Sequence, residues 1–173
     1  KSPAPKPDVL PGEFSVSATK RVKFSKGNLQ LTLGAAFTAA EWKFADNQYD
    51  CIGNAPGNTS FAEGTTIDLF GWSTKGNTVK WGVSTSTNSY DYITGTANKF
   101  NDWGENINDG TSWYTLSGAE WSYLIGENGG RNTDLHKYPV TVCGHPRCMV
   151  VAPDDFKGTI SDNYSVADMN QLP

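Results

Sequence analysis

The segment from Trp113 to Leu124 predicts a short strand that runs directly into a capped helix. Ser117 is a favourable N-cap residue, and Glu120 stands three residues later, where its carboxylate can return to the backbone amide of the cap. The apolar residues of the segment are Trp113, Leu116, Trp121 and Leu124. They give one short helix enough apolar surface to form the hub of a core, so this segment constrains the fold more than any other.

Short strands are predicted on both sides of this helix. The strands predicted upstream, from alternating apolar residues, cover 14–16, 22–24, 29–31, 41–44 and 49–52. Downstream, apolar runs at 138–142 and 149–152 predict a hairpin. Ser165 and Asp168 have the spacing of a second helix start.

Residues 53–112 hold many Gly, Asn, Ser and Thr and predict a long ordered loop, anchored by widely spaced tryptophans. Glycines also punctuate the region after the central helix, which is expected to end at Gly126 or at the pair Gly129-Gly130. Together these features predict an α+β chain with short strands, one or two short helices and long loops.

The three cysteines leave several chemistries open. Cys143 and Cys148 flank a four-residue loop, and as the closing residues of a hairpin they would face each other at a distance that suits a disulfide. Free thiols, a redox dithiol and a metal site that includes His145 are the alternatives, although no second ligand pair completes a closed zinc site. Cys51 is left over and is predicted to be a small buried hydrophobe.

The chain has 173 residues and a formal net charge of -4. We expect a Pro-rich linker at 1–9 and a single domain at 10–173. Residues 1–26 hold six Lys and Arg against two acidic residues, so that segment sums to +4 and the remainder to -8. The basic cluster is interpreted as the solvated face of a hairpin, and the acidic body argues against nucleic acid.

No apolar run in the sequence is long enough to span a bilayer. The polar, Pro-rich beginning of the chain is expected to follow an export signal or a lipid-anchored cysteine. The predicted location is therefore extracellular or at the cell surface.

The stretch 101–110 is dense in oxygen donors. The candidate calcium ligands are Asp102, Glu105, Asn106, Asn108 and Asp109. Calcium takes about six to eight oxygens, which such a loop can supply. The spacing does not follow the EF-hand pattern, and a surface loop rich in Asx turns is the alternative interpretation. No other cofactor is predicted.

Aromatic side chains in loops are a usual platform for sugar rings. The candidates here are Trp72, Trp81, Tyr90 and Tyr92. Packing in the core is the alternative role of each. Catalysis has no support, because no Ser-His-acid arrangement can be placed and because Asp154 and Asp155, as neighbours in an extended chain, would point to opposite faces.

Several segments resemble one group of proteins. Residues 113–124 resemble the "R-L-P-T-E-A-E-W-E-Y-A" helix of the formylglycine-generating-enzyme branch of the C-type-lectin-like superfamily. The other matching phrases lie at 10–17, 22–30, 42–50, 68–74 and 102–107. They resemble a large group of secreted or lipid-anchored surface proteins from gut anaerobes. The resemblance covers roughly residues 10–160 and implies a C-type-lectin-like α+β fold with short twisted antiparallel strands.

Members of that group normally continue with a "F-L-P-A-A-G-Y-R" strand and a "Y-W-S-S" segment. The resemblance therefore implies that the C-terminal part of the fold is missing from residues 10–173. The catalytic cysteine pair of the enzyme branch and the hypervariable face of the ligand-binding branch both lie in that later region. Neither the catalytic cysteine pair nor the hypervariable face can be assigned to residues of this sequence. Cys143 and Cys148 do not match the catalytic pair.

These observations predict a non-enzymatic, exported surface module that binds a glycan or protein ligand through its loops. A degenerate or truncated relative of a formylglycine-generating-type oxidase is the first alternative. A structural surface subunit that is completed by a neighbouring chain is the second.

Overall fold

The computed structural model describes residues 8–35, 39–52, 62–68, 102–107 and 112–169. These residues form a mixed structure of a few short helices and three small sheets, which confirms the α+β class. The chain divides into two compact units. Unit 1 combines Lys1–Lys26 with Leu116–Pro173, and unit 2 is Gly27–Thr115. The single domain over 10–173 stays a prediction.

Unit 1 begins with a small hairpin. Strand β1, Phe14–Ser15, pairs antiparallel with β2, Arg21–Val22. The Ser17 hydroxyl accepts hydrogen bonds from the Thr19 amide at 3.2 Å and from the Lys20 amide at 3.0 Å. These bonds stabilise the turn that connects β1 to β2. Val9 forms an isolated bridge with Ser25, so this part of the predicted 1–9 linker belongs to the folded unit.

The central helix of unit 1, α1, spans Gly118–Leu124 as predicted. Both halves of the capping box are present, since Ser117 accepts from the Glu120 amide and the Glu120 carboxylate accepts from the Ser117 amide at 2.8 Å. Ile125 is the C-cap, and Gly126 follows in the left-handed conformation, which confirms the first of the two predicted stops.

A buried cluster packs the helix against the first hairpin. Its members are Phe14, Val16, Leu116 and Leu124, with Val22, Phe24 and Val151 packed against them. The predicted hub is therefore correct for the two leucines but wrong for the two tryptophans. Trp121 is 43% exposed and meets Phe24 at 6.4 Å between ring centroids. Trp113 belongs to unit 2, where it packs on Phe44.

The second sheet of unit 1 is a ribbon with one added strand. Strand β6 spans His136–Val142 and strand β7 spans His145–Val151. The two strands pair antiparallel. Strand β8, Asn163–Tyr164, runs parallel to β6, so the sheet order is β7-β6-β8. Helix α2, Val166–Met169, follows, and Ser165 and Asp168 form the predicted reciprocal cap at its start.

Unit 2 contains the remaining sheet among the described residues. Strand β3, Leu29–Leu33, lies between β4, Ala39–Phe44, and β5, Thr66–Ile67, and both pairings are antiparallel. Alternate residues of β3 point into the core, as the period of two predicts. The buried members are Leu31, Leu33 and Ile67, with Leu29 and Trp42 packed against them.

Two predictions for residues 49–52 are wrong. Residues 49–52 form no strand, because Asp50 turns back on Asn47, whose amide donates to the Asp50 carboxylate at 3.0 Å. Cys51 is exposed and is not a buried hydrophobe. A β-turn over residues 47–50, in which the Asp50 amide donates to the Asn47 carbonyl at 3.2 Å, lies where the apolar alternation predicted the start of a strand.

Candidate functional site

The cysteines of the β6–β7 hairpin are not linked. All three cysteines of the chain are free thiols. Val142 pairs with His145, so the loop has two residues and not the predicted four. Cys143 and Gly144 both have positive φ, at 50° and 84°, as a tight type I′ turn requires.

This register explains why the predicted disulfide is absent. Cys148 pairs with Val140, whereas Cys143 lies at the tip of the turn. About three residue rises, roughly 9–10 Å, therefore separate them along the ribbon. A disulfide bridges Cα atoms no more than about 7 Å apart. The Cys148 thiol instead donates to the carbonyl of His145 at 3.3 Å.

Asp102, the first of the predicted calcium ligands, is buried and acts as a helix cap. One of its oxygens accepts from the Gly104 amide at 2.8 Å and the other from the Thr115 amide at 2.8 Å. The Thr115 hydroxyl adds a third hydrogen bond at 3.2 Å. This carboxylate joins the short 3₁₀ helix Trp103–Asn106 to Thr115 in the segment before α1, which is a structural role. Residues 112–117 form no strand, so the short strand predicted to run into α1 is wrong.

The rest of the predicted metal site is only partly described. Glu105 is exposed and Asn106 is half-buried on the same 3₁₀ helix, while Asn108 and Asp109 lie outside the described residues. Within the described parts of the chain, no three His, Cys, Asp or Glu side chains come together to hold a metal ion. Calcium binding therefore stays a prediction.

The predicted aromatic platform also lies outside the described residues. Its members are Trp72, Trp81, Tyr90 and Tyr92. A shallow, open groove of about 310 Å³ is seen elsewhere, along one side of α1. It is lined by Gly118, Ala119, Ser122, Tyr123, Glu127 and Asn128.

Asp154 joins three distant parts of unit 1, and sequence reasoning did not predict this cluster. Its carboxylate accepts from the Ser15 amide at 3.0 Å and from the Ser15 hydroxyl at 2.6 Å. It also accepts from Arg21 Nε at 3.3 Å and pairs with Arg131 Nε at 3.4 Å. Residues more than a hundred positions apart are thereby joined, so no local pattern predicts this cluster.

Arg131 is the buried cation of that cluster. Its side chain is 2% exposed, one terminal nitrogen donates to the carbonyl of Ala152, and the guanidinium lies 5.6 Å from the centre of the Phe14 ring. Burial lowers the pKa of Arg131 from its usual value, while the charge of Asp154 opposes that shift. Nε and Nη1 form no hydrogen bond, so the ion pair with Asp154 is the main compensation for burying this charge.

The pKa of Asp154 reflects the same contacts. Partial burial raises the pKa of Asp154, but the hydrogen bonds from Ser15, the charge of Arg131 and the hydrogen bond from Arg21 outweigh that effect and hold the pKa below its usual value. Partial burial also raises the pKa of Glu120, and hydrogen bonds from Lys20 and Ser117 more than offset this. Both carboxylates therefore stay ionised at neutral pH.

One face of the β6–β7 ribbon presents apolar side chains to solvent. A bulge places Tyr138 and Pro139 together opposite Met149, between the paired residues Lys137–Val150 and Val140–Cys148. Tyr138 is 51% exposed and Met149 is 45% exposed. Pro139 is also exposed, as is Arg147 two residues before Met149. We name Tyr138, Pro139, Arg147 and Met149 the Tyr138 patch.

The opposite face of this ribbon is anchored in unit 1. Val140 and Val142 are buried, which fixes the strand that carries Tyr138. Residues 136–151 contain Lys137, Arg147 and two histidines but no Asp or Glu, in a chain whose net charge is -4. Lys137 forms an ion pair with Asp162 at 2.6 Å, so the Tyr138 patch is apolar with one cation of its own, Arg147. Sequence reasoning identified the hairpin but missed the patch. Pro139 inside the predicted strand was the available signal, because a proline cannot donate to the ladder and is found in strands at edges or bulges.

Comparison of the chain with protein-family models, with curated proteins and with solved structures finds no match. The resemblance to the formylglycine-generating-enzyme-like group and the C-type-lectin-like fold therefore stay predictions. Among the described residues, no helix has the length and apolar character needed to cross a membrane.

Proposed function

We propose that the chain is a non-enzymatic, exported surface module of C-type-lectin-like fold that binds a protein or glycan partner, and that the Tyr138 patch is part of its contact surface. The observation that carries the proposal is an aromatic side chain held on a fixed ribbon yet 51% exposed. Exposed tyrosine offers a large contact area and loses little conformational entropy on binding, since only two side-chain torsions are ordered.

The composition of the patch supports a contact role. Tyrosine, methionine and arginine are enriched at the cores of protein interfaces, whereas Lys, Glu, Asp, Ser and Ala are depleted there. The patch combines Tyr138, Met149 and Arg147 with Pro139 and includes none of the depleted types. Because Val140 anchors the same strand, binding would require little rearrangement of the backbone.

The lowered pKa values of Asp154 and Glu120 do not suit either group to general acid catalysis at neutral pH. A general acid at neutral pH needs a raised carboxyl pKa. Hydrogen bonds and cations instead hold the pKa of Asp154 and of Glu120 below the usual value. Asp154 binds Ser15 and Arg21 of the first hairpin and Glu120 caps α1, so both carboxylates serve the fold.

The test is a binding screen of the purified chain against an array of glycans and extracellular proteins, with and without a chelator. We expect at least one ligand whose affinity falls about tenfold or more in Tyr138→Ser, as loss of an aromatic hot spot predicts. Val166→Ser is the matched control, because it removes exposed apolar surface from α2 in the same unit.

Three results of the screen are decisive. A wild-type chain that binds nothing on the array contradicts the binding role. A ligand that binds Tyr138→Ser as tightly as wild type contradicts the contribution of the patch. Binding that is insensitive to the chelator removes calcium from the recognition of that ligand.

A further inference from the structure

The turn after α1 contains the sole Asn-Gly sequence of the 173-residue chain, at Asn128-Gly129. Both residues are exposed. Asn128 has φ 50° and ψ 37°, in the left-handed region, and Gly129 also has a positive φ of 78°. No atom lies within 4 Å of the position that a Cβ of Gly129 would occupy, so the packing around Gly129 is open.

We propose that Asn128 is a site of spontaneous deamidation and isomerisation. The backbone nitrogen of Gly129 loses its proton and attacks Cγ of Asn128, which forms a five-membered succinimide and expels ammonia. Water then opens the ring at either carbonyl, and the product is aspartate or isoaspartate. No oxidant, metal or enzyme is required, because the only co-reactant is water.

Asn-Gly is the favourable context because glycine presents no side chain to hinder the attack. It also allows the backbone rotation that ring closure needs. The other asparagines of the chain precede residues with side chains. Asn132, four residues later, precedes Thr133 and accepts a hydrogen bond from the Asp134 amide at 3.0 Å. It is an internal comparison for the reactivity of Asn128.

The two products have different structural consequences, because both ends of the turn are closely packed. A Cβ on Gly126 would collide with Arg131 and Thr133, and a Cβ on Gly130 would collide with the backbone of Tyr123. The amide of Arg131 donates to the carbonyl of Tyr123 at 2.9 Å. Isoaspartate lengthens the backbone of the turn by one atom. Because both ends of the turn are closely packed, the extra atom displaces Arg131 from its ion pair with Asp154.

Aspartate at the same position keeps the backbone length and adds one negative charge. The charge falls next to Glu127 and close to the C-terminus of α1, whose last turn carries no basic residue to offset it. We therefore expect a smaller loss of stability for aspartate than for isoaspartate.

The experiment ages the purified chain at mildly alkaline pH in heavy-oxygen water and maps its peptides by mass spectrometry. We expect the heavy oxygen at position 128 and not at Asn132, in both the aspartate and the isoaspartate peptide. Asn128→Gln is the control and is expected to lose the signal, since its longer side chain closes the ring far more slowly.

Label at Asn132 instead of position 128 would overturn the proposal. So would a folded chain that remains unlabelled while an unfolded peptide of residues 124–134 converts completely. Thermal unfolding of the separated products tests the consequence, with Asn128→Asp as reference for the aspartate form. The isoaspartate form is expected to melt below that variant. Equal melting temperatures would show that the turn does not transmit the change to Arg131.

Discussion

At the scale of single residues, Asp154 has the clearest physical role in unit 1. It neutralises the buried charge of Arg131 and accepts two hydrogen bonds from Ser15. We predict that Asp154→Asn lowers the free energy of unfolding by about 2–3 kcal/mol, since it leaves a buried cation without its partner. Chemical denaturation measures this directly.

Asp155→Asn is the matched control for that experiment, because Asp155 is the adjacent, exposed aspartate. It is expected to change the stability by less than about 0.5 kcal/mol. Equal losses in the two variants would show that the Arg131 pairing contributes nothing specific.

The cysteines provide a second prediction at this scale. A thiol-specific reagent should modify Cys51 fastest in the native protein, since it is exposed, and should reach the half-buried Cys143 and Cys148 more slowly. Non-reducing peptide mapping of the folded, air-equilibrated chain should show no bond between Cys143 and Cys148. A native disulfide between them would contradict the register of the hairpin.

At the scale of elements, the capping box of Ser117 and Glu120 is a local feature that stabilises the start of α1. Ser117→Ala removes the hydroxyl that caps α1 and is predicted to cost about 1 kcal/mol. Glu120→Gln is the control, because glutamine can complete the same capping box but loses the ion pair with the exposed Lys20. Urea unfolding should therefore separate the two variants, and an equal effect would contradict the capping role.

Sequence predicted the elements whose cause is local. Both helix starts follow from a serine and an acidic residue three positions later, and each box is present. The β6–β7 turn was mispredicted because Cys143 adopts a positive φ that the sequence does not require of cysteine. The bulge opposite Met149 does have a local cause in Pro139, which cannot donate to the ladder, but the exposure of Tyr138 also depends on the tertiary packing of the ribbon.

At the scale of the whole molecule, unit 1 is assembled from both ends of the sequence. Residues 8–26 and 116–169 share one buried cluster and the Asp154 cluster. Such contacts are non-local, which explains why the sequence predicted the α+β class and most strands but not the partners of Asp154. The prediction that α1 forms the hub of the core was correct for Leu116 and Leu124. Trp121 is exposed instead, because tertiary packing determines which side of the short helix is buried.

The lowered pKa of Asp154 predicts how unit 1 responds to acid. Because the pKa is lower in the folded state, the unfolded chain takes up the proton first as pH falls. The stabilisation from this group is complete above the ordinary carboxyl pKa of about 4 and is lost as the pH falls through the lower folded value. Asp154→Asn should flatten this part of the stability–pH curve, and an unchanged curve would contradict the assignment.

The measurement that tests the binding proposal most directly is an oxidative footprint of the chain with and without a ligand from the array. Tyrosine and methionine side chains both react with hydroxyl radicals, so Tyr138 and Met149 report on the patch. We predict that bound ligand protects both side chains and leaves the exposed Trp121 reactive. Full reactivity of Tyr138 and Met149 in the saturated complex would contradict the account.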